Sequence, residues 1–522
     1  MDHPGIASAL KACMRRGFDF GTAYGRLRPY WYRDEFPSLE SQFGRAEKED
    51  REMRESALDN ATNRVLDPHI LPRRIWDLFG NRVLPWWVVK RNFSTPCEDL
   101  VERIWKEIKL NVGLSRRDIP WAVSHSWLDD ERRQNIYTTI NAYEWPVPIP
   151  ADTTLDRVRI ELLNLGAEYV WLDVLCLRQM CLDPAKEAIR EHEWKLDVPT
   201  IGSIYHHNMK IVDYFSGLGR PFRLGDMDSE RHWLNRAWTL QEASSNAIIG
   251  GRTADSPFPP AINGSVSQDR EAERFYIALE AMCKHTFGAL DVYGALEIMR
   301  WRSASHEADK IGGLAYLLGS KVLPAYISNP HDVSGEDAWS RLVETMSSRY
   351  WGQLLFLYPA PGNARYTWRP SWQQVKETPL PRIDGPLIFD GVRYDMHDNT
   401  YRCDGFLLKS CVVKGFAKWN PRGDGTSPSP RKGQLEVSHD GRTHTFAALA
   451  HHDQPIPDGA YVLFGNKGIE DISPLHCKHW VVGRITGSAG EMQKVSVLRL
   501  KWGEWSELQD LGIAKEVEVS FI

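Results

Sequence analysis

The stretch from about 119 to 250 limits the fold most, because short apolar runs alternate there with helical patterns. Trp121-Ala-Val-Ser-His-Ser-Trp127 is apolar and ends in polar residues, the form of a buried strand that feeds a loop. Asp152-Thr-Thr-Leu predicts a helix start; Leu155, Val158, Leu162 and Leu163 then fall at helical spacing, and Gly166 closes the pattern. Three residues later Tyr169-Val-Trp-Leu-Asp173 reads as a second buried strand. Strand, long connection, helix and strand is the sequence form of a parallel βαβ unit. A helix across Ala185–Leu196 and the segment Ile201–His207 lead to Met209-Lys-Ile-Val-Asp-Tyr-Phe215, a third strand. The spacing over Arg231–Glu242 predicts another helix.

The flanks have other textures. Residues 1–70 are polar, and Arg45–Glu55 is a dense mixed-charge run that reads as a solvated helix laced with i,i+4 pairs. Residues 71–89 are rich in aromatics and look like a strand and turn approaching the core. A Pro/Gly/Ser loop over 251–270 precedes a helical region from Glu271 to about Tyr350. Past Trp372 short alternating runs separated by Gly, Pro and Asp predict a small antiparallel β domain, with Asn420–Gly433 as a hairpin tip. The expected divisions are a partly helical polar arm at 1–70, an α/β domain with its approach segment at 71–250, a helical extension at 251–372 and a β-rich domain at 373–522.

Composition removes several function classes. A formal charge of −5 gives no support to nucleic-acid binding through phosphate contacts. Neither a secretory signal nor an apolar run of membrane-spanning length is present, so a cytoplasmic protein without a membrane span is expected. The eight cysteines are sparse and unevenly spaced, which suits reduced thiols better than a disulfide framework. Phosphate-binding Gly-rich fingerprints are missing as well. The 21 tryptophans outnumber both the 18 Phe and the 18 Tyr, which raises the question of what the indoles do.

Four blocks carry residue types that chemistry uses: Ser124-His125-Ser126-Trp127, Trp171-Leu-Asp-Val-Leu-Cys-Leu-Arg-Gln179, Ile204-Tyr205, and Trp233 followed by Arg236-Ala-Trp-Thr-Leu-Gln-Glu242. In these blocks the sequence resembles the fungal heterokaryon-incompatibility (HET) domain. The family has a Ser-x-x-Trp block, a Trp-x-Asp-x-x-Cys-x-x-Gln block, an Ile-Tyr element and an Arg-x-Trp-x-x-Gln-Glu block, in this order. Asp309-Lys-Ile, Leu317-Leu-Gly319 and Pro370-Ser-Trp372 echo its later elements. Met180 stands where an acidic residue is usual, with Asp183 nearby.

The resemblance implies an effector of nonself recognition and programmed cell death. HET domains are in turn similar to TIR domains, which are flavodoxin-like; some of these cleave the nicotinamide–ribose bond of NAD with a Glu four residues after a Trp. Trp238 and Glu242 have that spacing. The implied fold of the core is α/β, a TIR/flavodoxin-like parallel sheet with helical flanks; the resemblance is silent on the small C-terminal antiparallel β domain, which rests on the residue pattern alone. The implied site has Glu242 as the catalytic carboxylate and Ser124, His125, Ser126, Trp127, Asp173 and Trp238 around the substrate, with no metal. NAD would be a substrate rather than a cofactor. A carboxylate suits that reaction because positive charge develops on the ribose as the N-glycosidic bond breaks.

Each assignment has a plainer rival. Glu242 can pair with Arg236 or Arg178, Asp173 can brace the loop after its strand, and Trp121, Trp171 and Trp238 can be packing residues. The whole domain can equally be a non-catalytic scaffold that signals by self-association or by binding a protein partner. A thiol site from Cys176, Cys181 and His125 lacks a supporting signature. A zinc site from His451, His452, His476, Cys477 and His479 lacks Cys-x-x-Cys spacing.

Overall fold

A computed structural model of the chain describes residues 4–30, 39–89, 120–206, 210–225, 227–254, 256, 270–283, 291–327, 333–382, 389, 391–395, 400–418, 430–467, 477–486 and 490–521. Met209, His476, most of the 251–270 loop and residues 420–429 of the expected hairpin tip lie outside these. The chain forms two compact units, residues 1–287 with 302–317 and 321–333, and residues 288–301 with 318–320 and 334–522.

The first unit is built on a six-stranded sheet of β1 (Arg74–Asp77), β2 (Arg82–Pro85), β3 (Trp121–His125), β4 (Tyr169–Leu172), β5 (Ile211–Tyr214) and β6 (Ile248–Ile249). Their spatial order is β6-β5-β3-β4-β1-β2. β3 runs parallel to β4 and β5, and β6 runs parallel to β5. The hairpin of β1 and β2 is antiparallel and joins the edge through β4. Counted along the chain, the four parallel strands therefore lie in the order second, first, third, fourth. In open sheets of this kind ligands bind beyond the strand carboxyl ends where the order reverses, here between β3 and β5.

Local chemistry explains the boundaries. Every residue of β3, β4 and β5 is buried, as parallel strands covered on both faces require. The helix Leu155–Leu165 between β3 and β4 starts where the Thr154 hydroxyl accepts from the Arg157 amide at 3.3 Å. It stops at Gly166, whose φ of +94° suits a left-handed cap. Asp183 caps the helix Pro184–Asp197 in the same way, with Pro184 at the first helical position. The mixed-charge run belongs to the helix Leu39–Ala57, whose Leu39 and Phe43 pack with Leu27 and Trp87 in a satellite core.

One expected element is corrected. Residues 231–242 are not a continuous helix but two 3-10 turns, Trp233–Asn235 and Trp238–Gln241. Between them Arg236 is extended and forms a parallel bridge with Ser303: the Ser303 amide donates to the Asn235 carbonyl at 2.6 Å and the Ala237 amide to the Ser303 carbonyl at 2.9 Å. Those tertiary bonds take groups that a continuous helix would need for itself.

The second unit contains β7 (Val392–Asp395), β8 (Thr400–Lys414), β9 (Arg431–His439), β10 (Arg442–Ala450), β11 (Gly459–Asn466), β12 (Cys477–Thr486), β13 (Glu491–Lys501) and β14 (Lys515–Phe521). Six of them close on themselves antiparallel in the circuit β8-β9-β10-β13-β12-β11 and back to β8. β8 bends between Leu408 and Cys411, where Ser410 takes a φ of +59°. That bend lets its first half pair with β14 and its second half with β9. Trp480 and Trp505 fill the core of this unit. No helix among the described residues is long and apolar enough to cross a membrane.

The short helix Ile201–His206 locks onto the sheet through the Tyr205 hydroxyl, which donates to the Val123 carbonyl at 3.0 Å. A Cβ on Gly202 would stand 2.4 Å from the Tyr316 ring and 2.8 Å from Gln241 Oε1. Gly202→Ala is accordingly expected to destabilise the protein by about 1–3 kcal/mol, through overpacking. Thermal denaturation should register this as a drop of a few degrees; an unchanged midpoint would mean the helix has slack.

Candidate functional site

The carboxyl end of β3 gathers all four blocks. Ser124 is buried on this strand, and its hydroxyl donates to Glu242 Oε2 while accepting from the Trp233 indole N–H at 2.7 Å. One side chain thus joins the first block to the fourth across more than a hundred residues. The hydroxyl's single proton is committed to Glu242, so Ser124 positions the carboxyl and does not offer that proton to a ligand.

His125 and Asp173 form the second pair. Asp173 begins a one-turn helix directly after β4, and its Oδ1 lies 2.8 Å from His125 Nε2 and accepts from the Val174 amide at 2.7 Å. Its Oδ2 accepts from the Trp127 indole N–H at 3.1 Å. Trp127 stacks on His125 with ring centres 5.7 Å apart, and the Arg133 guanidinium lies 5.1 Å from the same indole ring. The second block contributes Gln179 as well, which donates to the Asp173 carbonyl at 3.3 Å. From the third block, Tyr205 packs edge-on against Trp171.

Charge is graded across this cluster. Burial lifts the Glu242 pKa to about 7, reinforced by the Asp173 charge and opposed by the Ser124 hydrogen bond and by His125 and Arg236. Burial disfavours an ionised Asp173, yet the charge and hydrogen bond of His125 outweigh it and hold that carboxyl below its usual value. Burial also works against an imidazolium at His125, and Asp173 reverses this and raises its pKa.

Several residues stand elsewhere than expected. Glu242 makes no ion pair among the described residues; Arg178 pairs instead with Glu144 at 3.1 Å and Glu193 at 3.4 Å. Arg236 lies within electrostatic reach of Glu242 without touching it. Ser126 donates to the Phe215 carbonyl at 2.6 Å, so its hydroxyl proton braces the loop after β5. Trp238 and Glu242 do not share one face of an α-helix, because 3-10 geometry places residues four apart a third of a turn out of line. The Trp238 indole instead packs toward Gly312 of the helix Glu307–Leu317, where an added Cβ would lie 3.2 Å from the ring.

The site also contains a residue that the pattern reading missed. Asp213 on β5 is paired in register with Ser124, so both side chains leave the same face of the sheet. Asp213 is 1% exposed and its Oδ1 has no hydrogen-bond partner. Burial, with the nearby Glu242 charge, pushes its pKa well above the usual carboxylate value. Its signal in the sequence was a lone acid inside the apolar run Ile211–Tyr214.

Thiol chemistry finds no geometry here. Cys176 is buried in the one-turn helix Asp173–Cys176, and burial lifts its thiol to about 12, far from a reactive thiolate. Among the described residues no group of His, Cys, Asp and Glu is arranged to hold a metal ion. What the arrangement can do is hold a carboxyl that titrates near neutrality beside a histidine–carboxylate pair, at the mouth of a parallel sheet.

The raised Glu242 pKa has a sign that can be measured. An unfolded glutamate ionises near 4.5 and the folded one near 7, so this group weakens the fold progressively as pH rises between those values. Glu242→Gln keeps an acceptor for Ser124 and removes the ionisation. It should melt above the wild type at pH 8, with the gain fading toward pH 4.5; a gain independent of pH would contradict the assignment. Compared with known proteins, the chain matches no family model, no curated protein and no solved structure.

Proposed function

We propose that this protein is a cytoplasmic HET-domain effector of nonself recognition and cell death that acts by cleaving the nicotinamide–ribose bond of NAD. The observation that carries the reading is the Glu242 carboxyl, sunk at the carboxyl end of β3, held by Ser124 and, among the described residues, in no ion pair with an arginine. The order of the parallel strands, second-first-third-fourth, supports a doubly wound core similar to TIR and flavodoxin-like modules. That all four HET-like blocks meet at one strand end gives the motif resemblance a common physical purpose.

In this mechanism the ionised Glu242 faces the ribose carbon as the N-glycosidic bond lengthens and stabilises the positive charge that develops there. The electron pair of the bond leaves with nicotinamide, which becomes neutral. Water then adds to the ribosyl carbon and loses a proton, and a carboxylate with a pKa near 7 is suited to receive it. His125, fixed by Asp173, adds a cation that helps keep Glu242 ionised once substrate has displaced water.

The test uses the full chain, concentrated to favour assembly, incubated with NAD while nicotinamide release is followed. Wild-type protein should release nicotinamide and Glu242→Ala should be slower by about 100-fold or more. Because the carboxylate form acts, kcat/KM should rise as pH passes about 7 and level off above it. Absence of release from concentrated wild-type protein would overturn the enzymatic reading and favour the scaffold, in which the same domain signals by self-association or partner binding.

A further inference from the structure

A cleft of about 490 Å³ opens in the first unit beside the Glu242 site, beyond the carboxyl ends of β3 and β5. Its position is where the order of the parallel strands reverses, the crevice in which open α/β sheets receive ligands. Four arginines, Arg132, Arg220, Arg223 and Arg231, line it together with one acidic residue, Asp152, and Asp129 pairs with Arg231. None of these arginines belongs to the four blocks.

The cleft is built rather than accidental. Arg220 is aimed by an ion pair to Asp152 at 3.1 Å and by donation to the Ser216 carbonyl at 3.0 Å. Arg223 donates to the Phe222 carbonyl at 3.0 Å and to the Thr253 hydroxyl at 3.3 Å, and Arg231 pairs with Asp129 at 2.9 Å. Arg132 has no ion-pair partner among the described residues. The loop that carries Arg220 and Arg223 is pinned, since Leu218 and Phe222 are buried and the Thr153 hydroxyl donates to the Gly219 carbonyl at 3.2 Å. Gly219 has a φ of +69°, and an added Cβ would stand 2.6 Å from Val158, so the loop passes there only with glycine. Guanidinium groups held in place before binding match phosphate oxygens in pairs and lose little freedom on contact.

Ser126 lines the cleft and lies two residues beyond Ser124, roughly 7 Å farther along the extended chain. That offset is of the order of the distance from a ribose C1′ to the phosphorus on its 5′ oxygen. We infer that the cleft binds the diphosphate of a nucleoside diphosphate group, the ADP part of the dinucleotide whose glycosidic bond faces Glu242. The choice of dinucleotide rests on the proposed NAD cleavage, whereas the choice of a diphosphate rests on the cleft alone.

The experiment titrates the full chain with ADP, AMP and adenosine by calorimetry at low salt. Arg132→Glu/Arg223→Glu reverses two exposed charges, and its melting curve reports whether it folds. ADP should bind more tightly than AMP, and AMP more tightly than adenosine. The double variant should weaken ADP by about tenfold or more. Glu242→Gln should bind ADP like the wild type. If the double variant does not fold, the wild type decides: its ADP affinity should fall between about 50 and 500 mM KCl. Absence of ADP binding, equal binding of adenosine, or an affinity unmoved by both charge reversal and salt would overturn the inference. Arginine-dependent ADP binding without nicotinamide release would keep the cleft and reject the glycosidic reading; release without ADP binding would do the reverse.

Discussion

The hydrogen bonds made by one hydroxyl organise this site. Ser124 has one proton to give and lone pairs to accept with, and it uses them on Glu242 and on the Trp233 indole. The strand β3 is thereby tied to a segment that is distant in sequence and that supports itself only by two short 3-10 turns. Around that tie the turns are secured by the Thr239 hydroxyl on the Trp233 carbonyl at 2.6 Å and by Arg302 on the Arg236 carbonyl at 2.8 Å. An interior polar group without a partner costs about 1–3 kcal/mol, so losing the Ser124 hydroxyl would strip both the indole and the carboxyl at once. Glu242 owes its place to that contact, and not to the helix that would have carried it.

Three carboxyl groups at one sheet end would repel each other if all were charged. The fold separates their protonation. Asp173 is ionised because His125, the Val174 amide and Trp127 all favour its charge. Glu242, with only the Ser124 bond and more distant cations to offset burial, titrates near 7. Asp213, buried and lacking a partner on Oδ1, has its ionisation disfavoured and its pKa raised. Groups of one chemical type pushed apart in this way take different roles in acid–base chemistry. Here that leaves a fixed anion, a group that switches near neutral pH and a third carboxyl whose ionisation burial opposes.

Much of this architecture was legible because its signals are local. The runs Trp121–Val123 and Tyr169–Leu172 are apolar throughout, and Thr154 and Gly166 mark the ends of a helix whose apolar spacing is regular. The segment 231–242 misled because its spacing is helical too, while the backbone bonds with Ser303 that break it come from a residue far along the chain. Asp213 was hidden in a strand otherwise written in apolar letters. The arginine cleft was invisible for a related reason: Arg132, Arg220, Arg223 and Arg231 are scattered in sequence and become one surface only when the loops after β3 and β5 meet. A net charge of −5 conceals such local clustering completely.

The abundance of tryptophan has a physical reading in these contacts. An indole combines a large apolar surface with a single N–H donor and no acceptor, so it can fill a core and still discharge one polar duty there. In the first unit that duty recurs: Trp127 donates to Asp173, Trp233 to Ser124, Trp145 to the Val174 carbonyl at 3.2 Å and Trp194 to the Arg178 carbonyl at 2.8 Å. Each of these bonds steadies a residue of the site or the backbone next to it. Phenylalanine would fill less of that volume and leave those acceptors bare, and tyrosine would place its donor at the far tip of the ring. Packing and site are therefore not alternative explanations for the indoles, because the same side chains provide the volume of the core and the donors that hold the polar cluster in place.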